Sequence, residues 1–547
     1  MDRAGGRFSS PKPCRAVKMF SLVSFPSGKY KTTMAEAQEN RAVFLIGKAA
    51  LTLAGLLAFG LLIRLIFVRD YDHDEIQHAH LAWLVSVGQV PYRDFAVNHF
   101  PFLWILVAPL MRVLPESPMT LTILRGMALL LNMVFIGALG TLVGRGLQPK
   151  QRIWAIACFG LVVCSPQVLH YLIEFRPDPL GNALLFGALA GLGLGGLKSK
   201  ATTFVCGVGL GTAALINTKY APFLLVLGAV ALIRFAPSGR RFWPPALVIG
   251  MGFSFALFSG AILLHWMHIP LDGAYQMVVA YNAAVEKARP FGFGLAAAVM
   301  QNWVWLAYSM AGLYGCAVLY LEQRRQPGFF SIAILCFLVV ALVTTTRPWK
   351  QYYVPWLLLA AYFPARSLPS FITRFSLPVQ AVLALCFLTG VGIGFVKTGV
   401  TDPNGVGLPR AIQDRVFVWA LQHVPPDGFV VATFPMHPVF RRDTFFKVVV
   451  DELGHGLDGF EQFMPQLVQP SCIEHFQRSG YEKELEDHPP TMILMQGKCT
   501  PTQVQVLETW LTSRTNIYEP YQIPGTPVIA LERKTAHQTW EEKQSGR

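Results

Sequence analysis

Charge is what this chain has least of. Only 14% of its 547 residues are charged and 53% are hydrophobic, with a mean hydropathy of +0.42. Soluble domains carry about 25% charged residues, so the deficit excludes a wholly soluble protein and places most of the chain in lipid. The net charge of +14 does not point to nucleic acid, because the basic residues fall in short blocks between apolar runs. Metal-type cysteine spacing is missing too. There is no CxxC, and Cys158, Cys164, Cys206, Cys316, Cys336 and Cys386 lie inside apolar runs, where thiols serve as small buried hydrophobes. Cys472 and Cys499 can pair with each other if their segment is extracytoplasmic. A cleavable signal is also lacking, since the first apolar run, 43–68, is long enough to span and has no small-residue cleavage site.

What the chain does have is apolar runs of spanning length or nearly so. They lie at 43–68, 120–144, 152–171, 179–197, 201–217, 219–235, 242–265, 297–321, 328–346, 352–366 and 376–398, eleven in all. Lys and Arg gather at 145–152, at Lys198 and Lys200, in 234–241, at 324–325, and at Arg366 and Arg374. Placing these loops and the N-terminus in the cytoplasm gives an alternating path through all eleven runs. The run 100–114 is short, is flanked by Pro101 and Pro115, and would break that alternation. It is expected to be an interfacial helix on the outer face. Residues 1–42, rich in Lys, Arg, Ser and Pro, read as a disordered cytoplasmic tail, with Met34 as an alternative start. Segment 270–289 has helical spacing with polar residues mixed in, and is placed along the membrane surface.

After about 399 the apolar runs shorten and charge rises. Strand-like pieces at 428–433, 491–495 and 527–532 alternate with helical patterns at 410–423 and 501–513. The fold class expected is thus a polytopic α-helical membrane protein, 43–398, with a small C-terminal α/β domain, 399–547. The odd number of spans puts that domain outside.

The outer loop 69–119 carries six acidic and three basic residues and holds the sharpest local feature, RDYDHDEIQHAH. An acidic cluster beside a bilayer is costly unless it faces water. Asp74 and Glu75 suit general-base chemistry there. Asp72 or Asp74 equally suits capping of a helix over 76–87, and spacing leaves both roles open. His78 and His80 are candidate metal ligands, although residues two apart do not share a helix face. With His99 and the carboxylates they leave a divalent cation open without demanding one. Glu174, Arg176 and Asp178 fall on the same outer side, as functional groups or as an ion-paired lipid boundary. Lys219, between two apolar runs, needs an anionic partner or a water-filled cavity. Arg347 and Lys350, among aromatic neighbours, suit a phosphate at headgroup level or a pair of snorkelling anchors.

The stretch DHDEIQHAHLAWLVSVGQVPYRDF followed by NHFPFLWIL resembles the first outer loop of the polyprenyl-phosphate-sugar-dependent GT-C glycosyltransferases. ESPMTLTILRGMALLLN, with Arg125, is similar to that family's following span. EFRPDPLGNALL, NTKYAPF and RPWKQYYVPWLLLA, with Tyr352 in a YY-x-P-type motif, resemble its later landmarks. The resemblance covers about 70–365. It is nearest to bacterial members similar to the lipopolysaccharide-core galacturonosyl and lipid A aminoarabinose transferases, and more distant from the protein O-mannosyltransferases. At Asn98-His99-Phe100-Pro101 the chain departs from the family's H-x-P-L-type segment.

The resemblance implies a GT-C-like fold at the plasma (inner) membrane with an extracytoplasmic active site. It implies a polyprenyl-phosphate-linked sugar donor and an envelope lipid, glycan or protein acceptor. Asp74 would be the base, and inversion at the anomeric carbon would release polyprenyl phosphate to Lys219, Arg347 and Lys350. Glu75, Asp72, His78, His99, Glu174, Arg176, Asp178 and Tyr352 would support the acceptor or the site. The competing readings are a transporter or flippase of lipid-linked sugars, which would put charges near mid-membrane in repeated halves, and a non-catalytic membrane scaffold. No such repeat is visible in the sequence.

Overall fold

The computed structural model describes residues 34–95, 97–195, 199–235, 243–281, 283, 293–322, 329–344, 350–401, 408–432, 436–444, 478–494 and 501–534. The chain forms two compact units, Met1–Ala49 and Ala50–Arg547. In the first, the described residues 34–49 are helical. The first helix, α1, is Met34–Val68, so it includes residues 34–42, which composition alone assigns to the tail.

Prolines open many of the helices that follow. α4 (Pro118–Gly144), α5 (Pro149–Val163), α6 (Pro166–Tyr171) and α7 (Pro177–Gly193) all carry Pro in the first turn. There its missing N–H has no intrahelical partner to lose and its fixed φ suits the helix. The same chemistry corrects one expected span. The run 152–171 is two helices, because Pro166 cannot continue α5 and starts α6 instead. α8 (Lys200–Ile216), α9 (Tyr220–Phe235), α10 (Trp243–Trp266) and the short α11 (Leu271–Ala274) come next. A π-helical segment, Tyr275–Tyr281, follows α11 within 270–289. Then come α12 (Phe293–Glu322), α13 (Phe329–Thr344), α14 (Lys350–Ala360), α15 (Tyr362–Ile372) and α16 (Leu377–Val396). The run 352–366 is therefore also divided, between α14 and α15.

By length and composition five helical segments among the described residues can cross a membrane: Gly47–Val68, Pro118–Gly144, Trp243–Trp266, Trp303–Glu322 and Leu377–Gly399. Their flanks leave large apolar side chains uncovered, such as Phe258 (67% exposed) and Leu321 (79%). A surface of that kind is stable against lipid and not against water.

Residues 69–119 contribute α2 (His73–Ser86) and α3 (Phe102–Met111). α3, with ten residues, rises about 15 Å, roughly half the hydrocarbon thickness. Its Phe102, Leu103, Trp104 and Val107 are buried, in a core it shares with α2.

Beyond α16, α17 (Arg410–His423), α18 (Arg478–Asp487) and α19 (Pro501–Thr512) accompany a five-stranded sheet. Its strands are β1 (Phe429–Ala432), β2 (Arg442–Asp443), β3 (Met492–Leu494), β4 (Tyr518–Gln522) and β5 (Ile529–Arg533), in the order β2-β1-β3-β5-β4. β1 runs parallel to β2 and β3, while β5 pairs antiparallel with β3 and β4. The sheet does not keep its core to itself. Phe417, Phe440, Ile493 and Trp510 share one buried cluster with Ile76, Trp83 and Trp104 of α2 and α3. Polar clamps reinforce this seam. The Gln413 side chain accepts from the Tyr71 N–H (2.6 Å) and donates to its carbonyl (3.0 Å), and Arg410 lies 3.8 Å from the Tyr71 ring centre.

Candidate active site

The site is built around the N-terminus of α2. Asp72 is the N-cap: its carboxylate accepts from the Asp74 N–H at 3.0 Å, and Glu75 reaches back to the Asp72 N–H at 3.0 Å. This reciprocal box satisfies donors the helix cannot satisfy itself. The two roles left open by spacing thus separate. Asp72 caps, and Asp74 does not.

Glu75 lies beneath them, 1% exposed. Arg125, on α4 and wholly buried, grips it with Nε at 2.9 Å and Nη2 at 2.6 Å, and the Phe175 N–H adds 3.2 Å. Arg125 also donates to the carbonyls of Arg69 (2.7 Å) and Asp70 (2.6 Å). With its oxygens engaged on all sides, Glu75 ties α2, α4 and the segment that leads into α7 together.

Above Glu75, Arg176 spans both outer carboxylates. Its Nη2 is 2.7 Å from Asp72 Oδ1, its Nη1 meets Asp74 Oδ2, and its Nε stands 3.0 Å from Glu174. His73 flanks the pair, 3.1 Å from Asp74 and 3.6 Å from Asp72. Asp72 and Asp74 keep 22% and 18% of their side-chain surface exposed, against 2% for Glu75, so only these two of the triplet can meet a solute. Burial pushes the Asp72 carboxyl up, but Arg176, then His73, Arg69 and Arg125, outweigh it and hold it below the usual range. Glu174 goes the other way. Burial raises it to about 7, and Asp72 and Glu75 add to the rise against the opposing Arg69, 2.8 Å away.

Asp178, in the first turn of α7, accepts from Asn217 at 2.9 Å and lies 3.8 Å from the Lys219 ammonium. Lys219 is 43% exposed in its side chain. His78 is near enough for Asp178 to raise and Lys219 to lower its pKa. Burial is the larger effect and lowers it to about 4. Neutral His78 takes the Trp104 indole N–H on Nδ1 at 3.2 Å, and its ring centre is 5.5 Å from that of His99. The His99 carbonyl accepts from Tyr92 at 2.5 Å.

Asp72, Asp74, Glu75, His78, His99, Glu174, Arg176, Asp178 and Lys219 are therefore brought to one region from four separate stretches of sequence. Arg347 lies outside the described residues, as do the side chains of Lys350 and Tyr352 and both Cys472 and Cys499. Sequence reasoning did not assign Arg125, Arg69 and His73 to the site. A lone Arg inside an apolar run is costly unless engaged, and that signal was present at position 125.

Two groups of donor side chains among the described residues can hold a cation: Asp72, His73 and Asp74, and separately His80, His437 and Asp443. In the first, the Arg176 guanidinium already supplies positive charge to both carboxylates, so a metal ion must displace it. His78 and His80 do not converge. The former faces Trp104 and the latter the C-terminal segment.

No family model and no curated sequence relative matches the chain. Solved structures do. ArnT from Cupriavidus metallidurans in the apo state aligns with a TM-score of 0.55 at 12% identity, over 88% of this chain and 97% of that one. The same protein bound to undecaprenyl phosphate aligns at 0.52 with 13% identity over the same shares. An oligosaccharyltransferase from Archaeoglobus fulgidus aligns at 0.46 with 14% identity, over 81% and 67%, too slight to add to this. The GT-C-type fold expected from the resemblance is thus found over most of the chain's length.

Proposed function

We propose that this protein is a membrane glycosyltransferase that moves a sugar from a polyprenyl-phosphate donor to an envelope acceptor, a lipid A, lipopolysaccharide core, polysaccharide or protein group, on the extracytoplasmic face. The observation that carries the reading is the division of labour at the start of α2. Asp72 is engaged in capping and Glu75 in Arg125, while partly exposed Asp74 caps nothing and meets Arg176 and His73, side chains that can give way to an acceptor. The fold shared with ArnT, a protein that has been crystallised with undecaprenyl phosphate, supports a donor of that class.

In this mechanism Asp74 takes the proton from the acceptor hydroxyl or amine. The acceptor's lone pair attacks the anomeric carbon in line. The bond from that carbon to the phosphate oxygen breaks with inversion, and polyprenyl phosphate leaves with the electron pair. Arg176 must release Asp74 as the acceptor enters, since a carboxylate neutralised by guanidinium is a poor base. The departing phosphate needs cations. Lys219 is exposed and held beside Asp178, and Arg347 and Lys350 are assigned the same task by the resemblance. A divalent ion among Asp72, His73 and Asp74 is the alternative source of positive charge. A transporter would place its charges at mid-span. Here the site's charged groups sit in loops and first turns, apart from Arg125, which Glu75 engages.

Native mass spectrometry of the purified protein with undecaprenyl phosphate tests the donor assignment. The expected result is one bound lipid phosphate, with affinity reduced about tenfold or more by Lys219→Ala, the loss of one charge-assisted contact. Equal binding of undecaprenol, which lacks the phosphate, would remove the donor assignment.

A further inference from the structure

The residues that lead into α2, Arg69-Asp70-Tyr71-Asp72, belong to no helix or strand, yet Arg69, Asp70 and Tyr71 are buried. Buried backbone groups need partners, and a segment without secondary structure must find them elsewhere. Side chains supply them in order along the chain. Arg125 donates to the Arg69 carbonyl (2.7 Å) and the Asp70 carbonyl (2.6 Å). Gln413 then takes both groups of Tyr71, accepting from its N–H at 2.6 Å and donating to its carbonyl at 3.0 Å. Glu75 accepts from the Asp72 N–H at 3.0 Å.

Arg125 and Glu75 belong to α4 and α2, close in sequence to this segment. Gln413 comes from α17, beyond the last apolar helix, and is itself 2% exposed. Its neighbour on the helix fixes α17 at this spot. Arg410 lies over the Tyr71 ring, 3.8 Å from its centre, and donates to Thr122 Oγ1 at 3.0 Å. A side-chain amide carries one acceptor and one donor group, which is what a peptide unit needs on either side of Tyr71.

Tyr71 directly precedes the cap. The Asp72 carboxylate accepts from the Asp74 N–H at 3.0 Å, so the position of the cap passes straight to the backbone of Asp74. The other contacts of Asp74, to Arg176 and His73, are between side chains and do not hold that backbone.

We propose that Gln413 is a positioning residue for Asp74, fixing where α2 begins and so where the base meets the acceptor. The assignment rests on the glycosyltransferase reading, and it makes α17 part of the frame of the active site. Misplacing a reacting group by about 1 Å can cost about 100-fold in rate. The effect therefore belongs in turnover and not in donor binding, since Lys219 is held beside Asp178, away from this segment.

The test uses the full chain in nanodiscs, with polyprenyl-phosphate sugar extracted from a deletion strain as donor and the glycan of that strain as acceptor. Gln413→Met keeps the bulk and cannot make the pair of hydrogen bonds. Its kcat per folded molecule is expected to fall about 10–100-fold, with the donor KM and the affinity for undecaprenyl phosphate unchanged. Arg415→Ala, an exposed change on the same helix, should keep the wild-type kcat. A lower folded yield with wild-type kcat in the folded remainder would make Gln413 a structural residue and overturn the assignment, as would a raised KM at unchanged kcat. Should Gln413→Met fail to fold, Gln413→Asn, shorter by one methylene, decides in its place: a lowered kcat at constant KM supports the assignment, and wild-type values refute it. No transfer by the wild type would remove the glycosyltransferase reading and this assignment with it, whereas wild-type transfer with an unaffected variant removes this assignment alone.

Discussion

Asp72 and Asp74 sit two positions apart, and substitutions can tell the cap at Asp72 from the base proposed at Asp74. Asp74→Asn is expected to cut transfer at least 100-fold, the lower end of what a general base contributes, while the chain still folds, since Asp72 and Glu174 keep their contacts to Arg176. Asp72→Ala removes a cap and an Arg176 contact, and should cost about 1–2 kcal/mol of stability, read from the thermal midpoint. Arg125→Ala strands a buried carboxylate and should cost about 3–5 kcal/mol, seen as loss of folded protein. The chain itself did not reveal that pair, since 50 positions separate the partners. Patterning shows that a lone Arg needs a partner and cannot show which one.

Glu174 gives the site a pH dependence of known sign. Its carboxyl is raised from an ordinary 4.5 to about 7, so between those values the folded state holds a proton that the unfolded chain has lost. Stability contributed by this group is full below pH 4.5 and falls as pH rises through 7. Asp72 runs oppositely, its contribution being present above its ordinary 3.8 and lost as pH falls through its lowered value. Thermal midpoints of Glu174→Gln should therefore vary less from pH 5 to 7 than those of the wild type, a window with limits set by the Glu174 shift. Identical slopes would count against the assignment.

At the scale of elements, close packing of α8 on α10 sets where Asn217 and Lys219 emerge. A Cβ on Gly207 would stand 2.3 Å from the Ile249 carbonyl oxygen, and one on Gly252 would stand 2.2 Å from that of Phe204. Small residues let helices approach in lipid. Gly207→Val should thus force α8 from α10 and lower both folded yield and undecaprenyl phosphate binding. Unchanged yield would show that the helices can part freely. The helical runs were legible because each is long and apolar. Their interruptions were less so, since Pro166 falls within an unbroken apolar pattern that scores as one span. Among the strands, β1, β3 and β5 match expected positions. β2, with two residues, is too short to alternate. β4 carries Pro520, which an edge strand tolerates because one side of its backbone has no ladder partner to lose.

For the whole molecule, composition was enough to place the chain in a membrane, because five segments among the described residues are long and apolar enough to cross. The union of residues 69–119 and the sheet in one core was not legible, since it depends on contacts such as Tyr71 with Gln413, 342 positions apart. The eleven-span path remains part of the proposal. It predicts that a cysteine introduced in 145–152 reacts with an impermeant thiol reagent only from the cytoplasmic side, and labelling from outside would overturn the orientation. The central claim is transfer from a lipid-linked sugar, and one measurement reaches it directly: mass spectrometry of envelope glycans and lipid-linked sugars in the wild type, a deletion strain and an Asp74→Asn strain. The account predicts that one glycan lacks one sugar in both mutants while the matching polyprenyl-phosphate sugar accumulates. Glycans lost in the deletion but restored by Asp74→Asn would contradict it, and would favour transport or scaffolding.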